Sequence, residues 1–147
     1  MKYKILIVDD EEAARFGIRK ALTGRDNILL EAGDLHSARA LLELEKPDVL
    51  LLDVNLPDGS GLDLLSQIAA LGDSPLVVVI TAFGSERMAV EAIKHGAYDY
   101  LSKPFEIDDL RLVVKNATQN IELRRENRRL RQRVEEAEGL GDVRMID

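Results

Sequence analysis

Four places along the 147-residue chain hold groups able to act together: Asp9-Asp10, Asp53, Thr81 and Lys103. Each closely follows a short apolar run, in turn Ile5 to Val8, Val49 to Leu52, Leu76 to Ile80 and Tyr98 to Leu101. Brought to one place, the three carboxylates repel one another, and protonation, a nearby cation or a bound divalent metal relieves the repulsion. Lys103 supplies one positive charge against three negative ones, so an oxygen-liganded hard cation such as Mg²⁺ completes the set. A cation beside a carboxylate neutralises an incoming phosphoryl group, which lets the carboxylate act as a nucleophile toward phosphorus. Thr81 can offer a hydroxyl to one phosphoryl oxygen and Lys103 a point charge to another. Three leucines, Leu50 to Leu52, run straight into Asp53. That places its carboxylate at the end of a rigid, buried element.

The elements that must do this positioning are legible as an alternation. Apolar runs at 5–8, 28–30, 49–52, 76–80 and 98–101 are each followed by a helix-like stretch, the first two at about 12–22 and 35–44. Repeated β-then-α units argue for a parallel sheet covered by helices on both faces. Asp34 and Ser85 stand at N-cap positions, Gly96 at a helix end, and Pro47 and Pro75 just ahead of strands. In such a sheet, ligands bind beyond the carboxyl ends of the strands. A strand order of 2-1-3-4-5 brings the four places together. The expected fold is a doubly wound, flavodoxin-like α/β domain over residues 1–121.

From Asp108 to Glu138 no Gly or Pro interrupts a helix-compatible sequence. Leu110, Val113, Val114, Ala117 and Ile121 form the stripe expected to face the sheet. Beyond it the apolar seam narrows to Leu123, Leu130, Val134 and Ala137, with Asn127 between the leucines. With Leu123, Leu130 and Ala137 at d, Asn127 and Val134 fall at a, where a single Asn fixes register in a two-stranded coil. Residues 122–138 are therefore expected to continue the last helix into a coiled-coil homodimer. Residues 139–147, with Gly139 and Gly141, are expected to be non-helical linker leading to an output domain beyond this chain.

The bulk properties narrow the field. A net charge of −7 gives no general nucleic-acid surface, and the absence of cysteine excludes disulfides and thiol-based metal sites. No signal-peptide pattern opens the chain, and no apolar stretch nears the ~18 residues of a spanning helix. A cytoplasmic protein is expected. The six arginines between 124 and 133 flank the leucine seam itself, whereas a basic zipper keeps its DNA-contacting region ahead of the heptads. They are expected to pair with nearby glutamates rather than to bind nucleic acid.

In Val8-Asp9-Asp10-Glu11, Asp53 with Pro57 and Gly61 after it, Thr81-Ala82 and Lys103-Pro104-Phe105, the sequence resembles the receiver domains of two-component response regulators over residues 3 to 121. The resemblance implies that a histidine kinase phosphorylates Asp53. It implies that Asp10, Asp53 and the backbone carbonyl of Asn55 hold Mg²⁺, with Asp9 assisting. It further implies a cis peptide bond before Pro104, and a switch in which Thr81 moves toward the phosphoryl group while Tyr100 changes rotamer. Gly96-Ala97-Tyr98-Asp99-Tyr100-Leu101 and Leu123-Arg124-Arg125-Glu126-Asn127-Arg128-Arg129-Leu130 resemble, more narrowly, the NtrC-like enhancer-binding activators. In those, a receiver and linker helix precede an ATPase acting on sigma-N RNA polymerase and a DNA-binding domain. No Gly-x-x-x-x-Gly-Lys-Ser/Thr loop occurs here, so those domains are expected outside this chain.

Two other readings are weighed against this. Leu50-Leu51-Leu52-Asp53 also resembles a Walker B strand, and an Asp nucleophile serves phosphatases; the missing P-loop, and Asn55 where a second Asp would act as acid and base, argue against a hydrolase. A degenerate receiver serving only as a dimerising scaffold is the other reading, and the full set of signature residues argues against it. Slow autodephosphorylation is what the resemblance implies. Asp58-Gly59 reads as turn chemistry, and His36 and His95 as solvated helix residues.

Overall fold

The computed structural model describes residues 2–24, 26–71, 75–82 and 86–145, with side chains described through residue 138. Ser85, expected to cap a helix, lies outside the described residues. The elements run β1 (Tyr3–Val8), α1 (Glu12–Leu22), β2 (Asn27–Ala32), α2 (Leu35–Glu45), β3 (Val49–Asp53), β4 (Asn55–Leu56), β5 (Gly59–Ser60), α3 (Gly61–Ala69), β6 (Leu76–Thr81), α4 (Glu86–Lys94), β7 (Asp99–Ser102) and α5 (Ile107–Met145).

Five strands pair in parallel in the order β2-β1-β3-β6-β7, which is the expected 2-1-3-4-5 when the two-residue strands β4 and β5 are set aside. Side chains alternate across a strand, so a sheet covered on both faces must be apolar at every position. Ile5 to Val8 and Leu50 to Leu52 are accordingly fully buried. Ile5, Ile7, Leu51 and Val78 face α1 and α5, meeting Ile18, Leu22, Leu110, Val114 and Ala117. Leu6, Val8, Leu50 and Leu52 face the other side, meeting Leu35, Ala38, Leu64, Leu65, Ile68 and Ala92 of α2, α3 and α4.

Local chemistry sets the boundaries. Asp34 accepts a hydrogen bond from the Ser37 amide at 2.7 Å and starts α2, while Gly96 takes φ +106° and turns the chain out of α4 toward β7. β2 is longer than its apolar run, because an edge strand tolerates the charged Glu31, which pairs with Arg15 and Arg19 of α1 at 3.4 and 2.9 Å.

The last helix departs from expectation at its far end. Its backbone stays helical through Gly139 and Gly141 to Met145. A glycine costs about 1 kcal/mol relative to alanine in a helix interior, which weakens a propagating helix without stopping it. Where α5 passes the amino end of the sheet it is fastened to it. Arg125 Nη2 lies 2.9 Å from Asp48 Oδ1, its guanidinium stands 5.7 Å from the Tyr3 ring centroid, and the Tyr3 hydroxyl donates to Glu122. Burial and then the Glu122 carboxylate push the Tyr3 hydroxyl up to about 12, so it remains a donor at ordinary pH.

Candidate functional site

Because all five strands point the same way, the residues that follow them emerge at one edge. Register sets Val8 beside Leu52, Asp53 beside Ile80, and Thr81 beside Ser102. Asp9 follows β1, Asp53 ends β3, Thr81 ends β6, and Lys103 comes one residue after β7. Asp9 is fully buried, Asp53 and Thr81 are buried, and Asp10 is exposed.

Lys103 joins two of the acids. Its Nζ lies 2.8 Å from Asp9 Oδ2 and 3.1 Å from Asp53 Oδ2. The other oxygen of each carboxylate accepts from the backbone two residues on, Asp9 Oδ1 from the Glu11 amide at 2.9 Å and Asp53 Oδ1 from the Asn55 amide at 3.1 Å. Both carboxylates are thus held in fixed orientations. Burial raises the Asp53 carboxyl above the usual carboxylate range, against the lowering effect of the Asn55 amide and Lys103. For Lys103 burial acts to lower the value, but the hydrogen bond to Asp9 and the charges of Asp53 and Asp9 outweigh it and the net shift is upward.

Asp9, Asp10 and Asp53 can each aim a carboxylate oxygen so that all three atoms lie within 4.8 Å of one another. The donors are hard oxygens, two are pre-oriented, and one comes from an exposed residue. This set fits a small divalent cation such as Mg²⁺. Asn55 is exposed, and its backbone amide donates to Asp53 Oδ1. Thr81 stands on the strand beside Asp53 with its Oγ1 3.5 Å from Ser102 Oγ, and the Lys103 amide donates to the Thr81 carbonyl at 2.7 Å. Tyr100 lies 45% exposed on the edge strand β7, and the Lys103-Pro104 peptide is cis.

Three supporting residues carried little signal in the sequence. Asp58, read as turn chemistry, does sit in the β4–β5 turn, and its carboxylate also accepts from the Leu35 and His36 amides at 2.8 and 3.0 Å, which holds it below the ordinary carboxylate range. Its i-to-amide spacing of 22 to 23 residues made this invisible beforehand. Ser102 offers the Thr81 hydroxyl a neighbour. Arg15 donates to the Asp9 carbonyl, although an arginine in an amphipathic helix looks like a solvated one. A recess of about 670 Å³ lies at the opposite end of the strands, lined by α2, α3 and α5, and shares no residue with the acid cluster.

A flavodoxin-like parallel sheet with an acid cluster, a threonine and a lysine at its carboxyl edge is the architecture of a receiver domain. Residues 5–115 match the response regulator receiver domain, and the chain belongs to that family. It is 38% identical over 115 residues to the transcriptional regulatory protein KdpE of Staphylococcus aureus, covering 78% of this chain and 49% of that protein. It is 37% identical over 118 residues to the DNA-binding transcriptional regulator NtrC of Proteus hauseri, covering 79% of this chain and 24% of that one. The crystal structure of NtrX from Brucella abortus superposes with a TM-score of 0.82 at 36% identity, over 89% of this chain and 30% of that one. The chain thus spans half or less of these relatives. Receiver domains are phosphoacceptor regulatory modules that bind Mg²⁺ at an acidic pocket, and the two relatives named first are transcriptional regulators. Among the described residues no helix is long and apolar enough to cross a membrane.

Proposed function

We propose that the chain is the cytoplasmic input module of an NtrC-type, sigma-N-dependent activator, with Asp53 as its phosphoacceptor. The observation that carries this is the Asp53 carboxylate, buried at the end of the central strand and aimed by the Asn55 amide and Lys103. An Asp53 oxygen bonds to phosphorus as the phosphorus–nitrogen bond of a kinase phosphohistidine breaks, and the imidazole keeps the bonding pair. Asp10, Asp53 and the Asn55 carbonyl would hold Mg²⁺, with Asp9 assisting, and the cation would supply charge neutralisation for the transferring group. Lys103 is already within 3.1 Å of Asp53 and needs little movement to meet a phosphoryl oxygen. The acyl phosphate is lost slowly to water, which ends the signal rather than turning over a substrate.

The new phosphoryl brings roughly −2 charge and strong acceptors, enough to draw the Thr81 hydroxyl away from Ser102 and let Tyr100 repack on the face formed by α4, β7 and α5. Thr81→Ala is therefore expected to take up phosphoryl from acetyl phosphate while losing the accompanying shape change, as read by small-angle scattering. If Thr81→Ala changed shape as the wild type does, Thr81 would have no switch role.

The outlet is the long helix. Leu123, Leu130 and Val134 are 69%, 48% and 52% exposed, and Asn127 is exposed among them. At 3.6 residues per turn these positions fall roughly 180–240° around the helix from Ile121, opposite the side fastened to the sheet. That leaves the Leu123, Asn127, Leu130 and Val134 face of residues 122–138 exposed for pairing as a parallel coiled coil without releasing the receiver, with residues 139–147 leading on to an ATPase and a DNA-binding domain. Arg129 lies 3.8 Å from Glu126 and Arg125 3.9 Å from Glu122, which supports a solvated, paired arginine face rather than a nucleic-acid surface. Leu130→Asp is expected to sediment as a monomer at concentrations where the wild type is a dimer. Sedimentation and scattering of the wild type with beryllofluoride and Mg²⁺ test the coupling: the expected result is a rearranged dimer, and an unchanged one would sink it.

A further inference from the structure

Arg15 ends the first turn of α1, outside the acid cluster, and is only 19% exposed at its side chain. Its Nη1 donates to the carbonyl of Asp9. That carbonyl belongs to the peptide linking Asp9 to Asp10, so holding it fixes the direction in which Asp10 leaves the strand. The Asp9 amide on the other side is held by the Ala32 carbonyl at 3.1 Å. The guanidinium is itself aimed, because its Nε lies 3.4 Å from Glu31 Oε1 and Glu31 is braced by Arg19 at 2.9 Å. Gly33 keeps the space open: a β-carbon there would come 3.2 Å from Arg15 Nη1 and 4.0 Å from the Asp9 carbonyl oxygen.

We infer that Arg15, seated by Glu31 and Gly33, is a positioning residue that holds the Asp9-Asp10 peptide in the orientation in which the two carboxylates receive a divalent cation. This rests on the Mg²⁺ reading above and extends it to residues outside the acid cluster. Two roles for the arginine have opposite signs. A cation that merely sits near the acids opposes Mg²⁺, so its removal tightens binding. A group that orients the liganding residues favours Mg²⁺, and losing such a partner typically weakens a metal site about tenfold or more.

The test is Mg²⁺ titration of the whole chain, followed by amide chemical shifts, for the wild type, Arg15→Met and Gly33→Ala, with urea unfolding measured on each. The glycine variant keeps the arginine's charge while crowding its seat, and Gly33 has no left-handed backbone angle to forbid alanine. The expected result is a dissociation constant raised about tenfold in Arg15→Met and by a smaller factor in Gly33→Ala, measured in folded protein. Undiminished or tighter binding in Arg15→Met overturns the inference, showing a structural brace or a competing charge. Should Arg15→Met not fold, wild-type affinity in Gly33→Ala overturns it just as well. Failure of the wild type itself to bind Mg²⁺ overturns the metal reading, and the inference with it.

Discussion

Asp53→Asn is expected to accept no phosphoryl group from acetyl phosphate and yet to unfold at a higher urea concentration than the wild type. The loss follows from the chemistry, since an amide is not a nucleophile toward phosphorus at neutral pH. The gain follows from burial. Burial raises the Asp53 carboxyl in the folded state, so between its unfolded value and the higher folded value the native protein keeps a proton that the unfolded chain has released. Stability therefore falls as pH rises from the unfolded value to the folded one, and above the folded value the ionised acid is a burden on the fold. An amide of the same shape carries no charge, can still accept from the Asn55 amide, and leaves Lys103 paired with Asp9 at 2.8 Å. The difference in urea midpoint between variant and wild type is expected to widen from pH 4 upward, near the ordinary Asp value of about 3.9, and then level off. A variant less stable than the wild type at pH 7 would show that Asp53 is held by stronger compensation than Lys103 and one amide.

Gly61→Ala is expected to cost about 3 kcal/mol, at the upper end for overpacking, and to slow phosphorylation as well. A β-carbon at this position would be driven into the carbonyl oxygen of Asp53 and would come 3.1 Å from the α-carbon of Val54. Neither neighbour can give way easily. Both are backbone, and the Gly61 amide is tied to the Val54 carbonyl at 2.7 Å while Ser60 caps the helix that begins there. Relief must come from moving α3 outward or shifting Asp53, and the second option displaces the acid from Lys103. The paired measurement is the urea midpoint and the rate of phosphoryl uptake. An alanine variant with wild-type values for both would mean that the turn between β3 and α3 is far more yielding than its hydrogen bonds suggest.

These two positions show what the sequence made visible. Asp53 announced itself because three leucines and an acid cannot all be buried without a reason, and a parallel sheet sends such residues to one edge. Asp9, Asp10, Thr81 and Lys103 followed from the same alternation, each placed just past an apolar run. Gly61 was visible only as a spacing, since its need to be glycine arises from the close passage of the Asp53 carbonyl, a contact with no local signature. Arg15 and Asp58 were hidden for a related reason: each serves a backbone group that belongs to another element, and side chain to backbone pairing across the fold leaves no periodicity. The far end of α5 is not legible in composition, because two glycines weaken a helix by an amount that propagation can absorb and the helix runs past them to Met145.

The most direct measurement of the central claim is the intact mass of the wild type and of Asp53→Asn after incubation with acetyl phosphate, with and without Mg²⁺. The expected result is a gain of a single phosphoryl group by the wild type with Mg²⁺, and no gain by the wild type without it or by the variant in either condition. A phosphoryl group carried by Asp53→Asn, or a wild type that gains none with Mg²⁺ present, would contradict the assignment of Asp53 as the phosphoacceptor of a working site.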